Sequence, residues 1–291
     1  MEYIFSRKEV TPMITLMSDQ ELDTFTRAID LPAPCRSQVL AFRRDPLFAR
    51  LCPQALPILT DLLQPPLWDQ ALTQLKALLG EDPAGMKMLT FMLAACGETR
   101  KIYESLQISE TIFLDTMKCF PRFINEHLES YGTYGFDRDF WTMRQIAARL
   151  FRLGSLEYEL TEEAGQKAVH IHIPSDGDLS RDSRRASYAM ARDFLKEFFP
   201  AYQNTPFLCT SWLLSPGLTE CLPRTSRIRS FQENFVITET FPERMDFLTW
   251  VYKRPDIPLE ELPENTSLQR ELKRYLLKGG KVGEAAGVLS L

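Results

Sequence analysis

Long apolar runs are missing from this sequence, and so are paired cysteines, histidine in quantity and any surplus of positive charge. No uninterrupted apolar stretch reaches the roughly 20 residues that a bilayer-crossing helix needs, so no membrane span is expected. The opening MEYIFSRKEVTPMITLM has no long apolar core ending in a small-residue cleavage site. No secretory signal is read there, and a cytoplasmic location is the expectation. A net charge of −5 supplies no general pull toward nucleic acid or an anionic membrane, and neither is expected as a partner. The six cysteines, at 35, 52, 96, 119, 209 and 221, form no Cys-x-x-Cys pair and do not cluster with histidine. Reduced, buried thiols are the expectation. Histidine occurs only as His127, His170 and His172. The last two share one face of a strand, but no third ligand lies near them, so no metal is expected.

What is present reads as an ordinary soluble globular chain: 44% hydrophobic residues, 25% charged, and 291 residues, enough for two domains with their own cores. Up to about residue 136 the pattern is helical almost throughout. Ser18 and Glu21 are spaced as a capping box that opens a helix running to about Ile29, which Pro32 and Pro34 end. Further helices are predicted over 36–44, 53–63 and 67–79. Asp82 followed by Pro83 predicts the start of another. Residues 84–96 are apolar almost all round and predict a central buried helix, with Gly97 as its stop. A short helix over 98–106 and one capped by Ser109 resemble a helix-turn-helix pair. The acidic balance favours bundle packing over DNA binding for them. His127, between Glu126 and Glu129, reads as surface or boundary packing. This half shows no nucleophile–base pairing and no glycine-rich phosphate loop, so it reads as a helical cap, bounded by YGTYGF at 131–136.

From about residue 137 the pattern changes. A helix capped by Asp137 or Asp139 should run from Phe140 to about Leu150. Residues 150–160 then read as a strand with Gly154 at a bulge or close approach. A hairpin-length loop over 161–166 leads into the stretch around which this half is organised, KAVHIHIPSDGDLSRDSRRASYAMARDFLKEFF, residues 167–199. Val169, Ile171 and Ile173 point one way from a strand, Ala168, His170 and His172 the other. Pro174 closes the strand, and Ser180 is placed to cap a helix whose face of Ser187, Met190, Ala191, Phe194, Leu195 and Phe198 should be buried. Arg181, Arg184 and Arg185 crowd the first turns of that helix, where the macrodipole disfavours cations. Two readings are open. One is an anion site made by the free amides and the guanidiniums; the other is a solvated basic face that Arg192 and Lys196 continue. Beyond it, 207–214 reads as a buried strand and 217–222 and 226–232 as short helices. Residues 235–240 and 245–252 read as a closing antiparallel pair, 253–264 as a proline-broken loop, and 267–277 as a last helix.

Several segments together resemble a family. FRLGSL at 151–156, His172-Ile-Pro174 with Gly177-Asp-Leu179, SWLLSP at 211–216, and Ser226-Arg-Ile228 with Phe231-Gln232 are similar to the two-domain GNAT-like acyltransferases. The resemblance implies an α+β chain: an all-helical N-terminal domain (1–136), then a GNAT-like mixed β-sheet domain flanked by helices (137–291). It also implies an acyl-CoA co-substrate, acetyl-CoA first, and direct transfer to an amine or hydroxyl of a small-molecule acceptor. Oligomeric state is left open. Ile173, Gly177, Asp178, Leu179, Ser180, Arg181, Arg184 and Arg185 would then surround the CoA pyrophosphate. The turn departs from the family's Q/R-x-x-G-x-G/A, because PSDGDLS at 174–180 holds one glycine, so side-chain arginines would have to contribute more. His172 is the candidate general base, or a structural histidine on a half-buried strand. Glu157 and Glu159 could position or deprotonate an amine, or be ordinary strand carboxylates. Ser211 could line the thioester pocket or protonate the leaving thiolate. Cys209 has no histidine after it in the chain, so burial rather than nucleophilic catalysis is expected of it. Asn234, Arg227 and Gln232 are either ligand contacts or helix-surface residues. The function classes are therefore a transferase, a catalytically silent CoA- or ligand-binding module, and an interaction protein led by the helical half.

Overall fold

The computed structural model describes residues 13–163, 165–253 and 257–290. The chain divides into two compact units: residues up to 109 together with 135–148, and residues 110–134 together with the chain from 149 onward.

The first unit is entirely helical among its described residues. Its helices are α1 (Asp19–Ala28), α2 (Ala33–Arg43), α3 (Pro46–Asp61), α4 (Trp68–Leu79) and α5 (Met86–Ser105), joined later by α8 (Asp139–Ile146). The capping box forms as expected: the Ser18 side chain accepts from the Glu21 amide, and the Glu21 carboxylate returns to the Ser18 amide at 2.7 Å. Proline misplaces several helix starts in the sequence reading. Pro34 and Pro46 sit in the first turns of α2 and α3, where a missing N–H costs nothing, so both helices begin before the expected 36 and 53. Asp82 and Pro83 do not open α5 directly. The helix starts at Met86, and the Asp82 carboxylate caps it from across the turn by accepting from the amides of Lys87 (3.2 Å) and Met88 (2.9 Å).

The central helix is the one expected, since 86, 88–96, 99 and 103 are all buried on α5. It does not stop at Gly97. A Cβ there would lie 3.0 Å from Met17 Cγ, so the glycine serves close packing of the chain around Met17, and the helix runs on to Ser105. The separate short helix over 98–106, and with it the helix-turn-helix pair, is not formed. Around α5 pack Leu22, Phe25, Val39, Phe48, Leu59 and Leu75, all fully buried, with Phe48 and Phe91 stacked at 4.3 Å.

The second unit holds α6 (Glu110–Met117) and α7 (Cys119–Tyr131), followed after the α8 segment by strands β1 (Leu150–Leu153), β2 (Leu156–Glu163) and β3 (Gln166–His172). Helix α9 (Arg181–Phe198) comes next, then β4 (Phe207–Ser211), α10 (Leu218–Cys221), α11 (Arg227–Gln232), β5 (Phe235–Phe241), α12 (Phe247–Val251), α13 (Ser267–Leu277) and β6 (Glu284–Leu289). Among the described residues six strands form one mixed sheet in the order β1-β2-β3-β4-β6-β5, in which only β3 and β4 run parallel. The chain is thus α+β, helical first and then a mixed sheet flanked by helices.

Three expectations are corrected here. Residues 150–160 are two strands, because Gly154 (φ 70°) turns the chain into a hairpin instead of bulging a single strand. Residues 247–251 are helical, since Phe247, Leu248, Val251 and Tyr252 are buried at helical spacing; the true partner of β5 is β6. Met190, expected inside, is 41% exposed, because the buried face of α9 passes through Arg184, Ser187, Tyr188, Ala191, Phe194 and Leu195. Residues 1–12, 164, 254–256 and 291 lie outside the described residues, and with them most of the opening segment, part of the 161–166 loop and part of the 253–264 loop.

Candidate active site at the parting of two parallel strands

Cross-strand register sorts the side chains of β1–β3 onto two faces. Phe151 opposes Tyr158, which opposes Ile171, and Leu160 opposes Val169, so these residues share one apolar face. Helix α9 covers it: the Tyr158 and Ser187 hydroxyls meet at 2.9 Å, Ser187 Oγ donates to the Leu153 carbonyl, and Phe151 packs on Phe194 at 4.9 Å. On the other face Arg152 opposes Glu157, Glu157 opposes His172, and Glu159 opposes His170. That face carries the ionisable chemistry.

The parallel strands β3 and β4 are in register only at Val169↔Phe207 and His170↔Leu208. Beyond His170 and Leu208 they part, while β3 continues to His172 and β4 to Ser211. These same two strands therefore open a gap at their C-terminal ends. The turn 174–179 begins at this gap and delivers the start of α9 to it.

His172 stands at the gap with its Nε2 2.8 Å from Glu159 Oε2. The Glu159 side chain is 10% exposed and the His172 ring 21%, so the pair is largely shielded yet reachable. Glu157, beside it, is otherwise engaged: Arg122 of α7 donates to its Oε1 at 2.7 Å, and its side chain is 3% exposed. Burial works against the Arg122 charge, but Glu157, Cys119 and Asp176 together raise the guanidinium above its ordinary value. Ser211 faces away from this group. Register puts Phe207, Cys209 and Ser211 on the α9 face, and the Ser211 hydroxyl accepts from the Leu213 amide at 3.1 Å. Its neighbour Thr210 shares the His172 face instead and is exposed. Sequence reasoning passed over Thr210, although period-two alternation carried the signal. Cys209 is fully buried and burial pushes its thiol up, out of the range of a nucleophile.

At the start of α9, Ser180 caps as expected and accepts from the Ser183 amide at 3.4 Å. Asp178 folds back onto the same corner. Its carboxylate accepts from Ser183 Oγ (2.6 Å), Ser180 Oγ (2.7 Å) and the Ser180 amide (2.9 Å), which together hold it down at about 2. Arg227 reaches the same carboxylate at 3.3 Å. Among the described residues the amides of Arg181 and Asp182 meet no protein acceptor, so two helix-start donors are open to an anion.

The three arginines divide. Arg181 and Arg185 are exposed, whereas Arg184 is 1% exposed. The Arg184 guanidinium donates to the Leu179 carbonyl at 2.7 Å and to the Ser230 carbonyl and hydroxyl at 3.1 and 3.0 Å, tying the turn to α11. Ile173, Gly177 and Leu179 line the turn, each half-buried. Gln232 uses its amide on the Leu213 and Ser215 carbonyls, a structural task. His127 lies with its Nδ1 2.8 Å from the Thr133 carbonyl and its ring against Tyr131, as boundary packing. Among the described residues no group of three or more candidate ligands is assembled for a metal, and no helix is long and apolar enough to cross a membrane.

A helix start aimed at a gap between parting parallel strands is the layout of a GNAT-type sheet. Solved structures share the fold over nearly the whole chain. An acyltransferase in complex with decanoyl-CoA and teicoplanin has a TM-score of 0.80 to this protein, covering 98% of this chain and 91% of that one at 22% identity. An acyltransferase mutant in complex with octanoyl-CoA has a TM-score of 0.81, covering 96% and 90%, also at 22% identity. A further acyltransferase complex, with CoA and 10C-teicoplanin, gives 0.81 over 97% and 91% at 22% identity. The likeness is one of fold. No curated protein matches the sequence. Family models match both halves: an N-acyltransferase N-terminal domain over residues 20–148 and a GNAT-like C-terminal domain over 150–289. This chain belongs to that two-domain N-acyltransferase family.

Proposed function

We propose that the protein is an acyl-CoA-dependent acyltransferase that moves the acyl group directly to an amine or hydroxyl of a small molecule. The observation that carries this reading is the gap beyond His170 and Leu208, with open α9 amides on one side and the His172–Glu159 pair on the other. In this reading the CoA pyrophosphate lies against the amides of Arg181 and Asp182, with the exposed Arg181 and Arg185 supplying charge. Arg184, Gly177, Asp178, Leu179 and Ser180 shape the turn, Ile173 flanks the pantetheine arm, and the arm enters between β3 and β4.

The acceptor nitrogen or oxygen attacks the thioester carbonyl carbon. His172 takes the proton the acceptor gives up, Glu159 orients the ring, and the carbon–sulfur bond breaks to leave CoA thiolate, which takes up a proton. Cys209 carries no acyl group in this scheme. Acetyl is the simplest acyl group. The octanoyl and decanoyl groups held by structures of the same fold bring medium-chain acyl-CoA into the proposal.

One observation favours a second reading, a CoA-binding module without turnover. The Asp178 carboxylate already occupies part of the helix-start corner and repels a pyrophosphate. Release of free CoA thiol from acetyl-, octanoyl- and decanoyl-CoA, followed across a panel of amines and amino sugars, tests both readings. Turnover with any pair supports the transferase. Saturable CoA binding with no turnover supports the module, and neither binding nor turnover overturns both.

A further inference from the structure

Helix α7 lies within the span matched by the N-terminal family model, yet it belongs to the second compact unit. Its side chains reach the turn that leads into α9. Arg122 Nη1 lies 2.7 Å from Glu157 Oε1 and 3.5 Å from Asp176 Oδ1. Arg152 of β1 reaches the same Asp176 oxygen at 2.9 Å and Glu157 at 3.9 Å. The two guanidinium side chains are only 10% and 13% exposed, so their position is fixed by packing, whereas Asp176 on the turn is 58% exposed. One residue earlier, Ser175 Oγ donates to Glu126 Oε1, again from α7. Burial alone would raise the Asp176 carboxyl, but Arg152 and Arg122 hold it below the usual carboxylate range, so it stays charged.

We infer that Arg122, Arg152 and Asp176, with Glu126 on Ser175, form a clamp that sets the position of the 174–180 turn and hence of the open α9 amides offered to the CoA pyrophosphate. The clamp compensates for the single glycine of the turn. A glycine-rich loop moulds itself around phosphate with many amides; this loop has fewer to offer, so those it has must be held in place. Arg122 and Arg152 are positioning residues, since their guanidiniums are spent on carboxylates. The inference rests on the transferase reading of the α9 corner, and it gives a stretch of the N-terminal family span a task in the site: α7 carries half of the clamp.

Asp176→Asn is the decisive variant. It removes the pull on the turn while leaving Arg122 and Arg152 on Glu157, so the fold keeps its buried pair. In the full-length protein, amide hydrogen exchange over 175–182 without ligand should be faster in Asp176→Asn than in the wild type. The KM for acyl-CoA should rise about tenfold, the scale expected when a positioned group is let slip, while kcat at saturating acyl-CoA stays within about twofold. A purely structural role would lower stability and leave the KM of the folded protein unchanged. Wild-type exchange rates and KM in the variant would overturn the clamp. A wild-type protein that binds no CoA would instead sink the transferase reading, and the clamp's role in it as well.

Discussion

Glu157→Gln separates a structural carboxylate from a catalytic one. The substitution keeps the shape of a side chain that is 3% exposed but removes its charge, and leaves the Arg122 guanidinium facing a neutral amide from 2.7 Å. Breaking a buried ion pair from one side typically costs about 3–5 kcal/mol. Asp176 remains 3.5 Å from Arg122, and a glutamine oxygen still accepts a hydrogen bond, so the lower end, about 3 kcal/mol, applies here. For a unit of this size each kcal/mol moves Tm by about 2–4 °C, so a fall of about 6–12 °C is expected. If Arg122 and Glu157 are replaced together by Met and Leu, most of that loss should return, because the buried charge goes with its partner. Differential scanning calorimetry gives the stabilities, and thiol release below the transition gives kcat. The account predicts a lower Tm with kcat within about fivefold of wild type. An unchanged Tm with kcat reduced by about 10² or more, the signature of a lost general base, would refute it.

Other outcomes follow from the same geometry. His172→Ala should lower kcat by about 10²–10⁴ with little change in acyl-CoA KM, and Glu159→Gln should lower it less, since the ring remains but loses its orienting partner. Arg181→Ala with Arg185→Ala should weaken CoA binding in a salt-dependent way and leave Tm almost unmoved, because both side chains are exposed; unchanged affinity would remove them from the site. The Asp178 carboxyl, held down at about 2 by the Ser183 and Ser180 hydroxyls, contributes stability that is fully present above the ordinary carboxylate range of about 4 and is lost as pH falls through 2. The stability gap between wild type and Asp178→Asn should therefore be constant near neutrality and close in acid, and a gap that widened in acid would contradict this assignment.

Much of the architecture was readable because local chemistry and fold agree. The Ser18–Glu21 capping box, the apolar run of α5, the alternation of β3 and the Ser180 cap all work through neighbours a few residues away. Where reading failed, a distant partner decided. Strand β6, with Ala285, Ala286 and Gly287 at its centre, has Val288 as its one β-branched side chain, and it forms because β4 and β5 pair with it on both sides. Gly97 looked like a stop because nothing local shows that Met17 packs against it. In the site, the sequence showed which residues carry charge but not their partners. Arg184 and Arg185 are adjacent in the chain, yet one is buried on main-chain carbonyls and the other is exposed. Glu157 and Glu159 share a face, yet Arg122, 35 residues away, captures only the first. Pairs of that kind are fixed by tertiary packing alone.

The central claim is that the opening amides of α9 receive the CoA pyrophosphate. Titration of isotope-labelled protein with free CoA, followed at the backbone amides of Arg181 and Asp182, tests it most directly. Both resonances should shift saturably and in step with binding measured by calorimetry. Binding that leaves both amides unmoved would place CoA elsewhere and contradict the account.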